Sequence, residues 1–423
     1  MADFVILPIS NTDDDDIIPI VESLKLKERT LIICDNPILE EKKLPNLIID
    51  SFKDVPSLIR KIFAWKEKNN ATFRCIVQLD EEFHYRVTEA VAKALELDCF
   101  DRHTADLASN KYLQKQALDK SYLCNPSYRI IKSVRDAIGF NFPCVLKIIT
   151  GYGSSFVFLN KTNEDIKRSI AKIQDSNSED SCNYMFVPHE TPKASFDSRT
   201  QFILEDYIPG NEYSCDFMVT DGPTKVIRLV RKFSSSFGFF DAFLLFNPDI
   251  ESNVEFSLVK LAAFCQKVAS AMGFSRGVCM LDFKFCKGEF YVIETTIRPG
   301  ISTFVDLMKS VYGWTTIDKL IDYKLGNILD FSIPVQSGMV VYLTTRKRGV
   351  LKGISTESLS DSGLHIVKIS LFYKPGHVIE DNAYNNFSSM LGYVLVQDTP
   401  FQDADSILSR VKKGVKIDVE PKP

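Results

Sequence analysis

The chain has 423 residues, 45% of them apolar and 25% charged, with a formal net charge of −4. That length admits roughly three domains and a sizeable core, and that composition belongs to an ordinary globular protein, so a fibrous or largely disordered chain is excluded. Basic residues are scattered, which gives no footprint for nucleic acid, and the apolar runs fall short of the ~20 residues that span a bilayer, so neither nucleic acid nor membrane is expected as a partner.

From residue 1 to 108, short apolar runs alternate with helical patterns. "FVILPI", "TLIICD", "NLIIDSF" and "RCIVQLD" read as buried strands, while Val55, Leu58, Ile59, Ile62 and Phe63, and then Val87, Val91, Ala94 and Leu95, recur at helical spacing. This alternation predicts an open, mostly parallel, doubly wound sheet with helices on both faces. No G-x-G-x-x-G follows the first strand, which argues against a dinucleotide site. The acidic run Asp13 to Asp16 reads as a solvated helix start, with Pro19 suited to the first turn.

A second region, 109–335, holds the strands "FPCVLKII", "SFVFLN", "QFILEDYI", "YSCDFMV", "VIRLVRKF", "VCMLDFKF" and "FYVIETTI"; a subdomain of about 130–202 carries the first of them. Within it, "QDSNSEDSCNYMFVPHETPKASFDSRT" is polar and reads as a surface excursion. The remainder, 336–423, reads as a small strand-rich α+β domain with "MVVYLTTRKRG", "HIVKISLFY", "LGYVLVQD" and a helix in "DADSILSRVKKG". The ten cysteines are widely spaced without a C-x-x-C pair, so they are expected to be reduced and the protein cytoplasmic.

The chemistry concentrates in "MLDFKFCKGEFYVIETTIRPG". Glu294, Thr296 and Arg298 alternate, so they leave one face of a strand together. Cys286-Lys287-Gly288 reads as a three-residue hairpin loop, a length that puts Asp282 of the preceding strand on that same face; a two-residue loop would put it on the opposite one. Two carboxylates and a hydroxyl suit Mg²⁺ shared with phosphate oxygens. Upstream, Lys147 ends an apolar strand ahead of Gly151, Gly153, Ser154 and Ser155, a turn whose backbone N–H groups and flanking cation suit phosphate. It is not a Walker loop, because a strand follows it. In "FILEDYIPGNEYSCDF", Glu205, Asp206, Tyr207 and Ile208 offer backbone groups to an adenine edge, and Glu212 offers a carboxylate to ribose hydroxyls. Lys111 opens a helix, where a cation is unfavourable unless an anion lies near.

The order of these pieces resembles the ATP-grasp superfamily. The resemblance implies an ATP-grasp fold, with an N-terminal doubly wound domain, two ATP-binding subdomains and a small strand-rich C-terminal domain. It assigns Lys111, Lys147 and the Gly151 to Ser155 loop to the phosphates, Glu205 to Ile208 to the adenine hinge and Glu212 to the ribose. Asp282, Glu294 and Thr296 would hold two Mg²⁺ ions, for which Mn²⁺ can substitute, and the catalytic groups would be Arg298 and Lys147. Thr296 departs from the asparagine common at that position, and "RPGIST" lacks the paired glycines common after the arginine.

Most members of that superfamily activate a carboxylate as an acylphosphate, which an amine then intercepts. Biotin carboxylase has a similar layout, but its histidine-containing adenine-side motif and Q-R-R stretch are absent; this chain reads "NEYSCDF" and "RLVRKFSSS". The arrangement looks more like the L-amino-acid ligases. The expected function is therefore an ATP-dependent carboxylate-amine ligase acting on amino acids, with Arg231 and Arg298 facing substrate. The alternatives are a purine-pathway or carboxylase-type ATP-grasp enzyme, and a nucleotide-binding regulator that has lost catalysis. Related enzymes are commonly dimers, so a homodimer is the assembly the resemblance implies.

Overall fold

The computed structural model describes residues 2–9, 27–35, 37–42, 44–79, 84–176, 185–234, 240–251, 254–327, 333–379 and 389–421. The acidic run Asp13 to Asp16 and residues 177–184 of the polar excursion lie outside the described residues.

Four strands, β1 (Ala2–Ile9), β2 (Thr30–Cys34), β3 (Leu47–Ile49) and β4 (Ala71–Ile76), form an all-parallel sheet in the order β3-β2-β1-β4. Period-two burial decides how its faces are used. Phe4, Ile6, Leu31 and Ile33 pack under α1 (Val55–Lys68) and α2 (Tyr85–Ala94), which contribute Leu58, Ile62, Val87 and Val91. Asp54 starts α1 by accepting the Ser57 backbone N–H at 3.0 Å. On the other face Val5, Ile32, Cys34 and Cys75 join one cluster with Val305, Leu307, Ile317 and Leu320, which belong to helices far along the chain. Both faces are thus covered, as the alternation predicts, but one of the covers is borrowed.

Two short helices, α3 (Arg102–Ala108) and α4 (Lys111–Lys120), lead into a four-stranded antiparallel sheet. It orders β5 (Tyr128–Ile131), β6 (Cys144–Ile148), β7 (Val157–Asn160) and the later β10 (Phe202–Asp206) as β5-β10-β6-β7. Helix α5 (Asn163–Gln174) buries Ile166, Ile170 and Ile173 on it. The described end of the polar excursion contributes Met185 and Phe186 to this core and a small ladder of β8 (His189–Glu190) with β9 (Ser195–Phe196). β10 (Phe202–Asp206) completes the sheet. Arg86 on α2 joins this subdomain to the N-terminal one: it donates to Asp106 at 2.7 Å and to the Glu190 carbonyl at 2.5 Å.

The remaining strands are β11 (Glu212–Val219), β12 (Lys225–Ser234), β13 (Phe240–Leu245), β14 (Gly277–Cys286), β15 (Glu289–Thr296), β16 (Gly338–Thr344), β17 (Gly349–Ser355), β18 (His365–Leu371), β19 (Val378–Ile379), β20 (Met390–Gln397) and β21 (Lys416–Glu420). Eight of them form one sheet, β15-β14-β11-β12-β13-β16-β20-β18, and β19-β17-β21 form a separate small one. The expected boundary at 335/336 therefore runs through a continuous sheet, since β16 pairs directly with β13. Helices α6 (Leu258–Ala271) and α9 (Ala404–Gly414) cover one face; α7 (Thr303–Tyr312) and α8 (Thr316–Lys324) lie with the N-terminal sheet on the other. Among the described residues no helix is long and apolar enough to cross a membrane.

Candidate active site

The β14–β15 hairpin turns on two residues, not three: Cys286 pairs with Glu289, and Lys287 and Gly288 take φ of 53° and 83°. Positive φ at both positions is the type I′ geometry of tight hairpins. That turn by itself would separate Asp282 from Glu294. A β-bulge corrects the register: Phe283 pairs with Val292, yet the next residue, Asp282, pairs with Glu294, leaving Ile293 as the extra one. The two carboxylates consequently stand directly opposite each other, with Thr296 two residues further along opposite Met280. Asp282 Oδ1 and Thr296 Oγ1 are buried and make no hydrogen bond among the described residues.

Arg298 lies buried just past β15 and donates to the Pro299 carbonyl at 3.1 Å. The glycine that follows, Gly300, is forced by its surroundings. Its N–H donates to Asp216 Oδ1 at 3.0 Å, and a Cβ there would stand 2.7 Å from Arg228 Nη2 and 2.8 Å from the Phe304 ring. Arg228 cannot yield easily, because its guanidinium grips Asp216 through Nε at 2.9 Å and Nη2 at 2.6 Å with both side chains fully buried. Thr316 on α8 donates to the same carboxylate at 2.8 Å.

Lysines meet these acids from three directions. Lys111 opens α4 behind the N-cap Asn110, whose Oδ1 accepts from Tyr112 and Leu113 N–H at 3.0 Å each. The anion that a cation at a helix start requires is Glu294: Lys111 Nζ donates to its Oε1 and to the Gly151 carbonyl, both at 2.5 Å. Gln114, one turn on, fixes α4 to β15 by exchanging two hydrogen bonds of 2.8 Å with the Thr295 backbone. The loop between β6 and β7 takes positive φ at Gly153, Ser154 and Phe156, and Ser155 within it is buried.

Lys147 donates to Glu205 Oε2 at 2.9 Å, and Lys115 places its ammonium 3.4 Å from Glu205 Oε1. All three are buried. Desolvation pulls the Lys115 pKa down to about 8, against the attraction of Glu205. Burial would raise the Glu205 carboxyl, but Lys115 and Lys147 outweigh it and hold it below the usual range. Lys232 on β12 donates to Asp282 Oδ2 at 2.7 Å and pairs with Glu212 Oε1 at 2.8 Å. Burial disfavours its charge, yet those two carboxylates raise its pKa well above the ordinary lysine value. Lys284 donates to the Ile208 carbonyl at 2.9 Å with its ammonium 4.7 Å from the Tyr207 ring.

Many of the residues singled out from the sequence are thereby linked from one antiparallel sheet to the other: Lys111 ties the loop after β6 to β15, and Lys115 of the same helix meets Glu205 of β10. Glu205 turns toward the lysines, and by alternation Asp206 leaves the other face of β10, its N–H donating to the Ser127 carbonyl at 2.9 Å. Arg231 is a correction. It pairs opposite Tyr213, on the face away from Glu212 and Asp282, with its guanidinium 4.3 Å from the Phe233 ring and 3.7 Å from Asp405. Its neighbour Lys232 takes the side of Glu212 and Asp282 instead. Lys115 and Lys284 escape the sequence reading, although each carries a signal: Lys115 is one helical turn from Lys111, and Lys284 alternates with Asp282.

The ATP-grasp domain family model matches residues 140–301, which spans the loop after β6, strand β10 and the β14–β15 hairpin. No curated protein matches the chain in sequence. In three dimensions it is similar to an L-amino acid ligase from Bacillus licheniformis, with a TM-score of 0.74, 16% identity and 98% of each chain covered. It is also similar to N5-carboxyaminoimidazole ribonucleotide synthetase from Thermotoga maritima (0.65, 15%, covering 99% of this chain and 100% of that one). For biotin carboxylase from Campylobacter jejuni the values are 0.63, 15%, 98% and 92%. These likenesses show an ATP-grasp fold end to end, and residues 140–301 carry an ATP-grasp domain.

Proposed function

We propose that this chain is an ATP-dependent carboxylate-amine ligase that activates an acid as its acylphosphate and passes it to an amine, with an amino acid among its substrates. The observation that carries this reading is the pairing of Asp282 with Glu294 on one hairpin, with Lys111 reaching Glu294 from the start of a helix and bonding the Gly151 carbonyl of the loop as well. The residues fit a divalent ion shared with phosphate. Asp282 Oδ1 and Thr296 Oγ1 are buried oxygens with no partner among the described residues, beside a second carboxylate. Among the described residues no three His, Cys, Asp or Glu side chains gather to hold an ion alone, so phosphate oxygens would complete the shell. When bound, Mg²⁺ supplies charge neutralisation at the transferred phosphoryl group.

The chain's own residues do the rest. Lys111 and Lys147 exchange their carboxylate partners for phosphate oxygens, the Gly151 to Ser155 loop covers them, and Lys284 with the Ile208 carbonyl frames the adenine edge. Glu212 accepts from the ribose. Arg298, fixed by the knot of Asp216 and Arg228 beneath Gly300, faces the charge that develops on the acid. Positioning and electrostatics suffice for such a reaction, and no nucleophilic side chain is required. Amino acids as substrates draw support from the end-to-end likeness to an L-amino acid ligase.

A hydroxylamine trap tests the proposal. Incubated with Mg-ATP, hydroxylamine and a panel of amino acids and other acids, the enzyme should release ADP and a hydroxamate together for the acid it activates. Nucleotide binding with neither product from any acid would make the chain a regulator.

A further inference from the structure

The subdomain built on β5, β10, β6 and β7 has a core of its own. Ile131, Leu146, Phe156, Ile170 and Phe202 belong to a cluster that draws every member from residues 131–204, and neither the N-terminal sheet nor the eight-stranded one adds to it. The chain enters this unit between Lys120 and Tyr128 and leaves it between Asp206 and Glu212. A body with a separate core and two short connections can turn about them unless contacts outside the core hold it.

Arg86 supplies such a contact, with partners that have no part in the proposed reaction. From α2 of the N-terminal domain its Nε donates to Asp106 at 2.7 Å; its Nη2 donates to the Glu190 carbonyl at 2.5 Å and lies 3.2 Å from His189 Nε2. His189 and Glu190 form β8, in the excursion of the subdomain. A guanidinium only donates, so Nε2 is the acceptor and the imidazole is neutral, with its proton on Nδ1. Burial, then the charge of Arg86, push the His189 pKa down to about 4; Asp106 opposes them and Arg102 adds to them. The imidazole therefore stays an acceptor at neutral pH, and the guanidinium is gripped from both bodies at once. Asp106 does not depend on Arg86, because Arg102 also donates to it at 3.1 Å. Removing Arg86 thus strands no carboxylate; what it removes is the tie between the two bodies.

We propose that Arg86 is a positioning residue that clasps this subdomain to the N-terminal domain and sets how fast the nucleotide site opens to admit and release ATP. This inference rests on the nucleotide-binding reading above. Closed forms with and without nucleotide share the clasp, so loosening it destabilises both alike: entry and release quicken together while affinity holds. Loss of a residue that merely supports the site would weaken affinity instead.

Stopped-flow fluorescence of the full chain with N-methylanthraniloyl ATP and Mg²⁺ tests it. Arg86→Met keeps the apolar stem and should raise both the association and the release rate by ~10-fold or more, the factor a hydrogen bond to a charged group carries, with Kd little changed. His189→Leu should shift both rates the same way by a smaller factor, and His189→Gln, again a neutral acceptor, should restore them. Unchanged rates in Arg86→Met, or a rise in Kd without faster association, overturn the inference; if Arg86→Met does not fold, the same outcomes for the two His189 variants decide. A wild type that binds no analogue removes the nucleotide reading, and this inference with it.

Discussion

Glu294 is held by Lys111 at 2.5 Å, so the chain itself already compensates its charge. Glu294→Gln keeps the shape and can still accept from Lys111, which predicts a folded protein with an unchanged denaturation midpoint. Turnover should fall at least ~100-fold, because a neutral amide no longer offsets the metal-bound phosphoryl charge; near-normal turnover would remove Glu294 from the site. Lys115 gives a pH prediction. Its pKa is about 8 in the folded chain, against 10.5 for an ordinary exposed lysine. Between those values the unfolded chain binds more protons, so this residue makes stability rise with pH. Below pH 8 the full cost of burying the ammonium is present. Urea midpoints of wild type and Lys115→Met at pH 7 and pH 10 should therefore show the wild type gaining on the variant at the higher pH, by up to ~3 kcal/mol. A gain in the other direction would mean that Glu205 already offsets the burial cost.

At the scale of elements, the hairpin shows what the sequence could and could not reveal. Alternation placed Asp282, Glu294 and Thr296 on strands, because apolar partners fill the other face: Leu281 and Phe283 are fully buried. Two features were illegible. Lys287 at φ 53° is a left-handed non-glycine residue, so the turn looked one residue longer than it is. Ile293 carries no mark of a bulge, since nothing in its side chain differs from a residue in regular pairing. The two misreadings offset each other, and the carboxylates meet. Register is also what separated Arg231 from Lys232, a distinction of one residue that composition does not carry. The loop after β15 was legible only as "RPG". The structure supplies the reason for its glycine, and Gly300→Ala should drive a methyl into Arg228 and Phe304. The Asp216 grip prevents relaxation, so a loss of ~1–3 kcal/mol in stability, read from the denaturant midpoint, is expected, with a larger fall in kcat as Arg298 shifts. A tolerated alanine would show that the knot is softer than its hydrogen bonds imply.

For the whole molecule, the apolar runs near the C-terminus were readable as strands, but their partner strands were not, because pairing between distant segments leaves no local trace. That gap matters for where the chain can be cut. A boundary at 335 reads naturally as the end of the nucleotide-binding unit, yet β16 pairs with β13 from Ala242 to Leu245, and β20 and β18 extend the same sheet. Met339, Val341, Val394 and Val396 belong to the cluster that also holds Cys215, Leu229 and Leu281; Val340 and Leu395 belong to the one beneath the N-terminal sheet. Each fully buried aliphatic chain contributes ~1.5–3 kcal/mol, so losing these six removes roughly as much as the ~5–15 kcal/mol by which a native protein is stable. It would also expose β13 as an apolar edge. A fragment of residues 1–335 should consequently be insoluble, or show an expanded radius and no cooperative melt by circular dichroism, while the full chain melts cooperatively. A soluble fragment that binds ATP as the full chain does would mean that the C-terminal strands are an appendage, and that the cleft is organised by the hairpin, its lysines and the N-terminal sheet alone.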